Sequence, residues 1–152
     1  MTDPTLFAQI GHARLREVLE AFYDRIFVDD MIGFLFVGKD RATLVQREWE
    51  FTARLLGADL AYSGRSIPDA HRASPIMGGH FDRRMQILRE VLADFEVPPA
   101  VQASWLQHSE AMRHLVTRDA SGSCTEQPAG ANEAVGGSPG AAPVRLKILP
   151  ID

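Results

Sequence analysis

Cysteine is almost missing from this sequence: Cys124 is the single one in 152 residues, and a lone thiol forms neither an internal disulfide nor a Cys-pair metal site. Long apolar runs are missing too, with nothing near the roughly 18 residues that a membrane-spanning helix requires, so a soluble chain is expected. The start, Met1-Thr2-Asp3-Pro4, lacks the basic residues and apolar run of a secretory signal, which makes the cytoplasm the expected compartment. Positive charge is not in excess either. Sixteen Lys and Arg face 20 Asp and Glu, for a net charge of −4, whereas a phosphate backbone rewards the opposite balance. Neither nucleic acid nor a membrane is an expected partner.

Enzyme signatures are equally scarce. The chain has no Gly-rich phosphate loop, no His-Glu-x-x-His, no Gly-x-Ser-x-Gly and no Cys-x-x-Cys-His for covalent haem attachment. No segment alternates apolar and polar residues at period two, so strands are not expected and the fold class is all-α. The length suits one domain.

Helical periodicity is what the chain has in quantity. Leu15, Val18, Leu19, Phe22, Tyr23, Ile26 and Phe27 fall on one stripe, predicting a helix of about four turns. From about 41 to 56, Leu44, Glu48, Phe51 and Leu55 form a row beside Val45, Trp49, Thr52 and Leu56, and Gly57 supplies a helix end. A third helix is expected over 80–95, with Phe81, Met85, Leu88 and Leu92 in line. A fourth opens after Pro98-Pro99, its row being Val101, Trp105, His108, Met112 and Leu115. The apolar stretch 31–38 is short and flanked by glycine, and so should form a tight corner. Residues 57–79 carry Gly64, Pro68, Pro75 and Gly78-Gly79 and read as a long loop with one helical turn after Pro68. After Thr117 the composition turns to Gly, Ala, Ser and Pro, predicting a domain over 1–117 and a mobile tail over 118–152. The apolar segment Val144–Leu149 is expected to be a passenger.

Five histidines are the remaining chemical resource. His12 and His114 are expected at the surface, and His80 at the first turn of its helix, in packing or end contacts. His108 lies on the apolar row and reads as a core histidine held by a hydrogen bond. His71 differs, because Ile67-Pro68-Asp69-Ala70-His71 places it in a short turn between two long helices, where a structural or a ligating role is open. A flat apolar slot with one fixed imidazole is what a haem requires. The first two helices offer Tyr23, Phe36, Leu44 and Phe51 to such a slot, and the loop and third helix offer His71, Met77, Phe81 and Met85.

The segment Ala21-Phe22-Tyr23-Asp24-Arg25-Ile26, followed by Asp29-Asp30 and Phe34-Leu35-Phe36, resembles the first long helix and corner of the truncated haemoglobins, the two-over-two globins. Glu50-Phe51, Leu55-Leu56-Gly57, Tyr62-Ser63-Gly64-Arg65, Ala70-His71 and Gly79-His80-Phe81-Asp82 follow in the family's order. The resemblance covers about residues 5–117. It implies a two-over-two helical sandwich around haem b, with the proximal histidine, counted back from Phe81, at His71. It also implies a distal tyrosine at Tyr23, a phenylalanine on the porphyrin at Phe36, distal positions at Leu44 and Glu48, and an aromatic pocket position at Phe51. Tyr62 and Arg65 fall near the haem edge, where Arg65 could pair with a propionate.

Two residues depart from the family pattern. Glu48 stands where a glutamine or apolar residue often faces the ligand, and a carboxylate there is costly without a partner. It either acts as an acid or base or points outward. Arg84 interrupts the apolar face next to Met85, and either reaches a propionate or Glu48 or runs out to solvent along its stem.

The function implied by the resemblance is reversible binding of a diatomic gas, oxygen first, with nitric oxide and carbon monoxide as further ligands. Nitric oxide detoxification is an extension that needs an external reductase, since the chain shows no reductase domain, so enzyme status is open. A peroxidase-like or gas-sensing haem protein is one alternative, and a haem-free helical interaction module another.

Overall fold

The computed structural model describes residues 4–119; Cys124 and all but the first two residues of the expected tail lie outside them. The described residues form seven α-helices: α1 (Leu6–Ile10), α2 (His12–Phe27), α3 (Arg41–Leu55), α4 (Ile67–His71), α5 (Gly78–Asp94), α6 (Pro99–Ala111) and α7 (Arg113–Val116). A short 3-10 helix, Gly33–Phe36, forms the corner between α2 and α3. No strand occurs among the described residues, as the lack of period-two patterning predicts. None of the helices there is long and apolar enough to cross a membrane.

The stripe of α2 explains its central place. Leu15, Val18, Leu19, Phe22 and Ile26 are fully buried, each contributing about 1.5–3 kcal/mol relative to exposure. On either side α2 meets α3 and α5, and α5 meets α6. Arg41 of α3 pairs with Asp24, and Trp49 Nε1 donates to the His12 carbonyl at 3.3 Å, so α2 and α3 run antiparallel. Arg113, just past α6, bonds Asp82 in the first turns of α5 while Gln102 reaches the Leu92 and Val97 carbonyls. These bonds make α5 and α6 the second antiparallel pair. Two pairs stacked through α2 and α5 give the two-over-two arrangement.

Local signals set the ends. Asp40 caps α3 by accepting from the Thr43 N–H at 3.2 Å, and Ser66 caps α4 from the Asp69 N–H, with Pro68 in the first turn. Gly11 separates α1 from α2 at φ +85°, a conformation that costs glycine little. The sequence reading omits α1, which is too short to display a period; Phe7 ties it to the Leu56 carbonyl at 2.9 Å.

The row expected for the fourth helix needs a correction in its phase. The buried face of α6 and α7 follows Val101, Trp105 and Ser109, with Met112 and Val116 behind them, while His108 and Leu115 are exposed. From Trp105 the inward line advances by four residues, and the small Ser109, whose hydroxyl gives no apolar signal, takes the place assigned to His108. His108 Nδ1 sits 2.8 Å from the Ser104 carbonyl on the helix surface.

Candidate functional site

Between the two helix pairs lies a cavity of about 1000 Å³, counting the part open to solvent. Tyr23 comes from α2, Phe36 from the corner, Leu44, Glu48 and Phe51 from α3, His71 from α4, and Phe81 and Arg84 from α5. All eight stand out in the sequence. Met85 is buried but does not line the cavity, and Tyr62 stands one layer out, edge-on to Phe51 with ring centroids 5.7 Å apart. Arg65 is exposed and shares a surface hollow with Asp69 and Arg72.

Met77 is a correction. It caps α5 with extended backbone and is 38% exposed, and its neighbour Ile76 lines the cavity instead. His80 holds that helix start, its Nδ1 accepting from the Met77 N–H at 3.1 Å, and its ring meets Phe34 edge-on at the cavity edge. Sequence reasoning missed Lys39, Ile67 and Ser74 in the lining, and also Trp105 and Ser109 at the α6 side. Lys39 carried a signal of its own, a cation directly after the apolar corner.

His71 presents one tautomer. Its Nδ1 is 2.7 Å from the Ile67 carbonyl one turn back, so that nitrogen carries the proton and Nε2 keeps a lone pair. Burial lowers the pKa of the ring, outweighing the Ile67 bond, and favours the neutral imidazole. Among the described residues no group of three or more His, Cys, Asp or Glu is gathered to hold a metal. A metal at His71 therefore needs further ligands of its own.

Glu48 points inward, and Arg84 is its partner. Arg84 Nη2 lies 2.9 Å from Glu48 Oε1, while the Tyr23 hydroxyl donates to Glu48 Oε2 at the long distance of 3.4 Å. The guanidinium also rests on the buried Phe22 ring, its Cζ 5.0 Å from the centroid. Of the choices open from the sequence, Arg84 takes Glu48. Burial, reinforced by the Glu48 charge, pushes the Tyr23 phenol far above its ordinary range. At the other edge, burial and then the neighbouring charge of Arg65 hold the Lys39 ammonium below its usual value.

The donor set suits one kind of group. Aromatic and aliphatic walls, one neutral imidazole with a free lone pair, and two cations close together at one edge fit a flat apolar macrocycle that carries a metal and an anionic rim.

Residues 5–118 match the family model described as bacterial-like globin. The chain is 25% identical over 96 residues to a group 1 truncated hemoglobin of Tetrahymena thermophila, covering 62% of this chain and 79% of that one. It is 31% identical over 88 residues to one of Mycolicibacterium paratuberculosis, covering 58% and 65%. The Fe(III) structure of the truncated hemoglobin from Tetrahymena pyriformis superimposes with a TM-score of 0.69 at 22% identity, over 75% of this chain and 98% of that one. The cyanomet 2/2 hemoglobin of a Synechococcus species, with covalently attached heme, gives a TM-score of 0.69 at 22% identity, over 74% and 98%.

Proposed function

The chain belongs to the truncated haemoglobins of the bacterial-like globin family, and we propose on that premise that it holds haem b through His71 and binds oxygen reversibly. Haem-based binding of diatomic gases is the family's common property. The observation that carries the reading for this chain is the His71 ring, neutral, fixed by Ile67 and set in the cavity wall.

Each residue then has a task. His71 would offer Nε2 to the iron, and its Nδ1–H bond to the Ile67 carbonyl fixes the ring plane and would raise its basicity. Phe36, Leu44, Phe51 and Phe81 supply apolar contact for the macrocycle and keep water from it. Tyr62 backs Phe51. Lys39 and Arg65 are placed to neutralise the propionates. Tyr23, Glu48 and Arg84, all in the cavity lining, would surround the gas ligand. When bound, the haem supplies the reversible coordination of oxygen, nitric oxide or carbon monoxide.

Nitric oxide detoxification would rest on the same site with an external reductase, and the cytoplasm stands as the proposed compartment. The inward placement of Glu48 favours a second use, with peroxide. Glu48 would hold a peroxide proton as acid or base, and Arg84 would steady negative charge on the peroxide oxygen. Slow reaction with peroxide in wild type, unchanged in Glu48→Gln, would exclude this use.

Optical spectra of the purified protein, ferric and reduced, test the main reading beside His71→Ala. The expected wild type shows a Soret band and five-coordinate ferrous haem. The variant should lose or alter both, with added imidazole restoring them. A wild type that refuses haem would transfer the chain to the haem-free interaction modules.

A further inference from the structure

We propose that Arg84, rather than Tyr23, is the principal hydrogen-bond donor to the ligand at the iron, which makes this a site for ligands that gain negative charge on binding. The inference deepens the haem reading and rests on it. Tyr23 has one hydroxyl proton, and a carboxylate oxygen, Glu48 Oε2, lies in its direction at 3.4 Å. Glu48 is the sole acidic side chain among the described residues that line the cavity, so it is the strongest acceptor that the proton can find there. The phenol, raised well above its ordinary pKa, stays a neutral donor already directed elsewhere.

Arg84 is differently equipped. A guanidinium carries five N–H groups in a rigid fork; Glu48 Oε1 takes one, from Nη2 at 2.9 Å, and the Tyr23 oxygen accepts another, which leaves most of the fork for a ligand. The carboxylate on one side and the Phe22 ring on another hold it in place before any ligand arrives, so little reorganisation is required. Its charge is permanent, because coupling to Glu48 and Tyr23 keeps the pKa above the usual value despite burial. A charged donor is roughly twice as effective as a neutral one. It favours dioxygen, which draws electron density from ferrous iron, over the less polarised carbon monoxide, and it favours small monoanions such as azide at ferric iron.

Haem-loaded wild type, Tyr23→Phe, Arg84→Met, Arg84→Lys and the double variant Tyr23→Phe/Arg84→Met provide the test. The readouts are oxygen release by stopped flow, the infrared stretch of bound carbon monoxide and the azide affinity of the ferric form. Arg84→Met should speed oxygen release and weaken azide by about tenfold or more and raise the stretch frequency, well beyond the effect of Tyr23→Phe. Arg84→Lys should recover part of the loss. The double variant should release oxygen about as fast as Arg84→Met alone, since the Tyr23 proton is directed at Glu48 and adds little to ligand binding. A double variant much faster than Arg84→Met, or a dominant effect of Tyr23→Phe in haem-loaded protein, overturns the inference alone. A wild type without a haem spectrum overturns the haem reading, and this inference with it.

Discussion

Arg84 and Glu48 join α5 to α3 inside the cavity, guanidinium to carboxylate at 2.9 Å. Their side chains are 23% and 21% exposed, so neither is free of water nor well hydrated. Removing one partner strands the other, and Glu48→Leu or Arg84→Leu should each cost the apoprotein about 1–3 kcal/mol in urea unfolding. The double Leu variant should cost less than the sum, because the two losses share one interaction. Additive losses would mean that the pair contributes nothing to stability.

Asp29 sets the low-pH limit of the corner. Its Oδ1 accepts from the Met31 and Ile32 N–H groups at 3.0 and 3.1 Å, and its Oδ2 accepts from Arg83 Nε and Nη2 at 3.0 and 2.8 Å. The Arg83 bonds, aided by the two backbone donors, hold the carboxyl below its ordinary value of 3.8. A carboxylate with a lowered folded pKa stabilises fully above the unfolded value, and that contribution disappears as pH falls through the folded one. Asp29→Asn should therefore lose about 1–2 kcal/mol at pH 7. Unfolding curves for wild type and variant should converge as pH falls below 3.8 and through the lowered folded pKa.

The last described residues fasten the segment that follows His71. The Arg118 N–H donates to the Ile76 carbonyl at 2.9 Å, Arg118 Nη2 reaches the Arg72 carbonyl at 3.0 Å, and Asp119 Oδ1 accepts from the Gly78 N–H at 2.7 Å. A chain ending after Asp119 should keep the haem spectrum and haem-loss rate of the full protein. One ending after Val116 loses three anchors and should release haem to an excess of apomyoglobin several-fold faster, about 1–2 kcal/mol in the barrier. Equal rates for the two truncations would remove any anchoring role.

Gly57 and Gly38 offer a controlled comparison. Both have positive φ, +100° and +79°, but a Cβ on Gly57 would meet the Thr5 Cβ at 3.3 Å, whereas none lies within 4 Å at Gly38. Gly38→Ala should cost about 1 kcal/mol for conformation alone, and Gly57→Ala more, by thermal unfolding of each variant.

The long helices were legible because each has a face that stays apolar for three or more turns, and that face is what the core of α2, α3 and α5 consists of. Residues that depend on tertiary partners were not. Glu48 and Arg84 each interrupt an apolar face, but the partner of each lies on another helix, so neither orientation follows from local spacing. The opposite charges on two inward faces were the available clue. His108 was misplaced because apolarity was used to phase a helix whose inward line passes through Ser109. Met77 and Ile76 are alike in character, and the extended cap before α5 decides between them. Lys39 follows the apolar corner, and a lone charge at a corner reads as solvent-facing until the fold turns it to the cavity.

No residue of the helix that carries His71 is fully buried, and Ile67, Ala70 and His71 are only half-buried. Five residues cannot sustain a helix in water, since nucleation alone costs more than so few bonds return. The ordering of α4 must then come from its ends, from α7 packed against it and from whatever occupies the cavity beside it. In the apoprotein the amides of Ala70 and His71 should exchange with deuterium through small local openings, well ahead of those at Leu19 or Leu88, and the cofactor should slow them most. The group that the site exists to hold would also be the part that completes its wall.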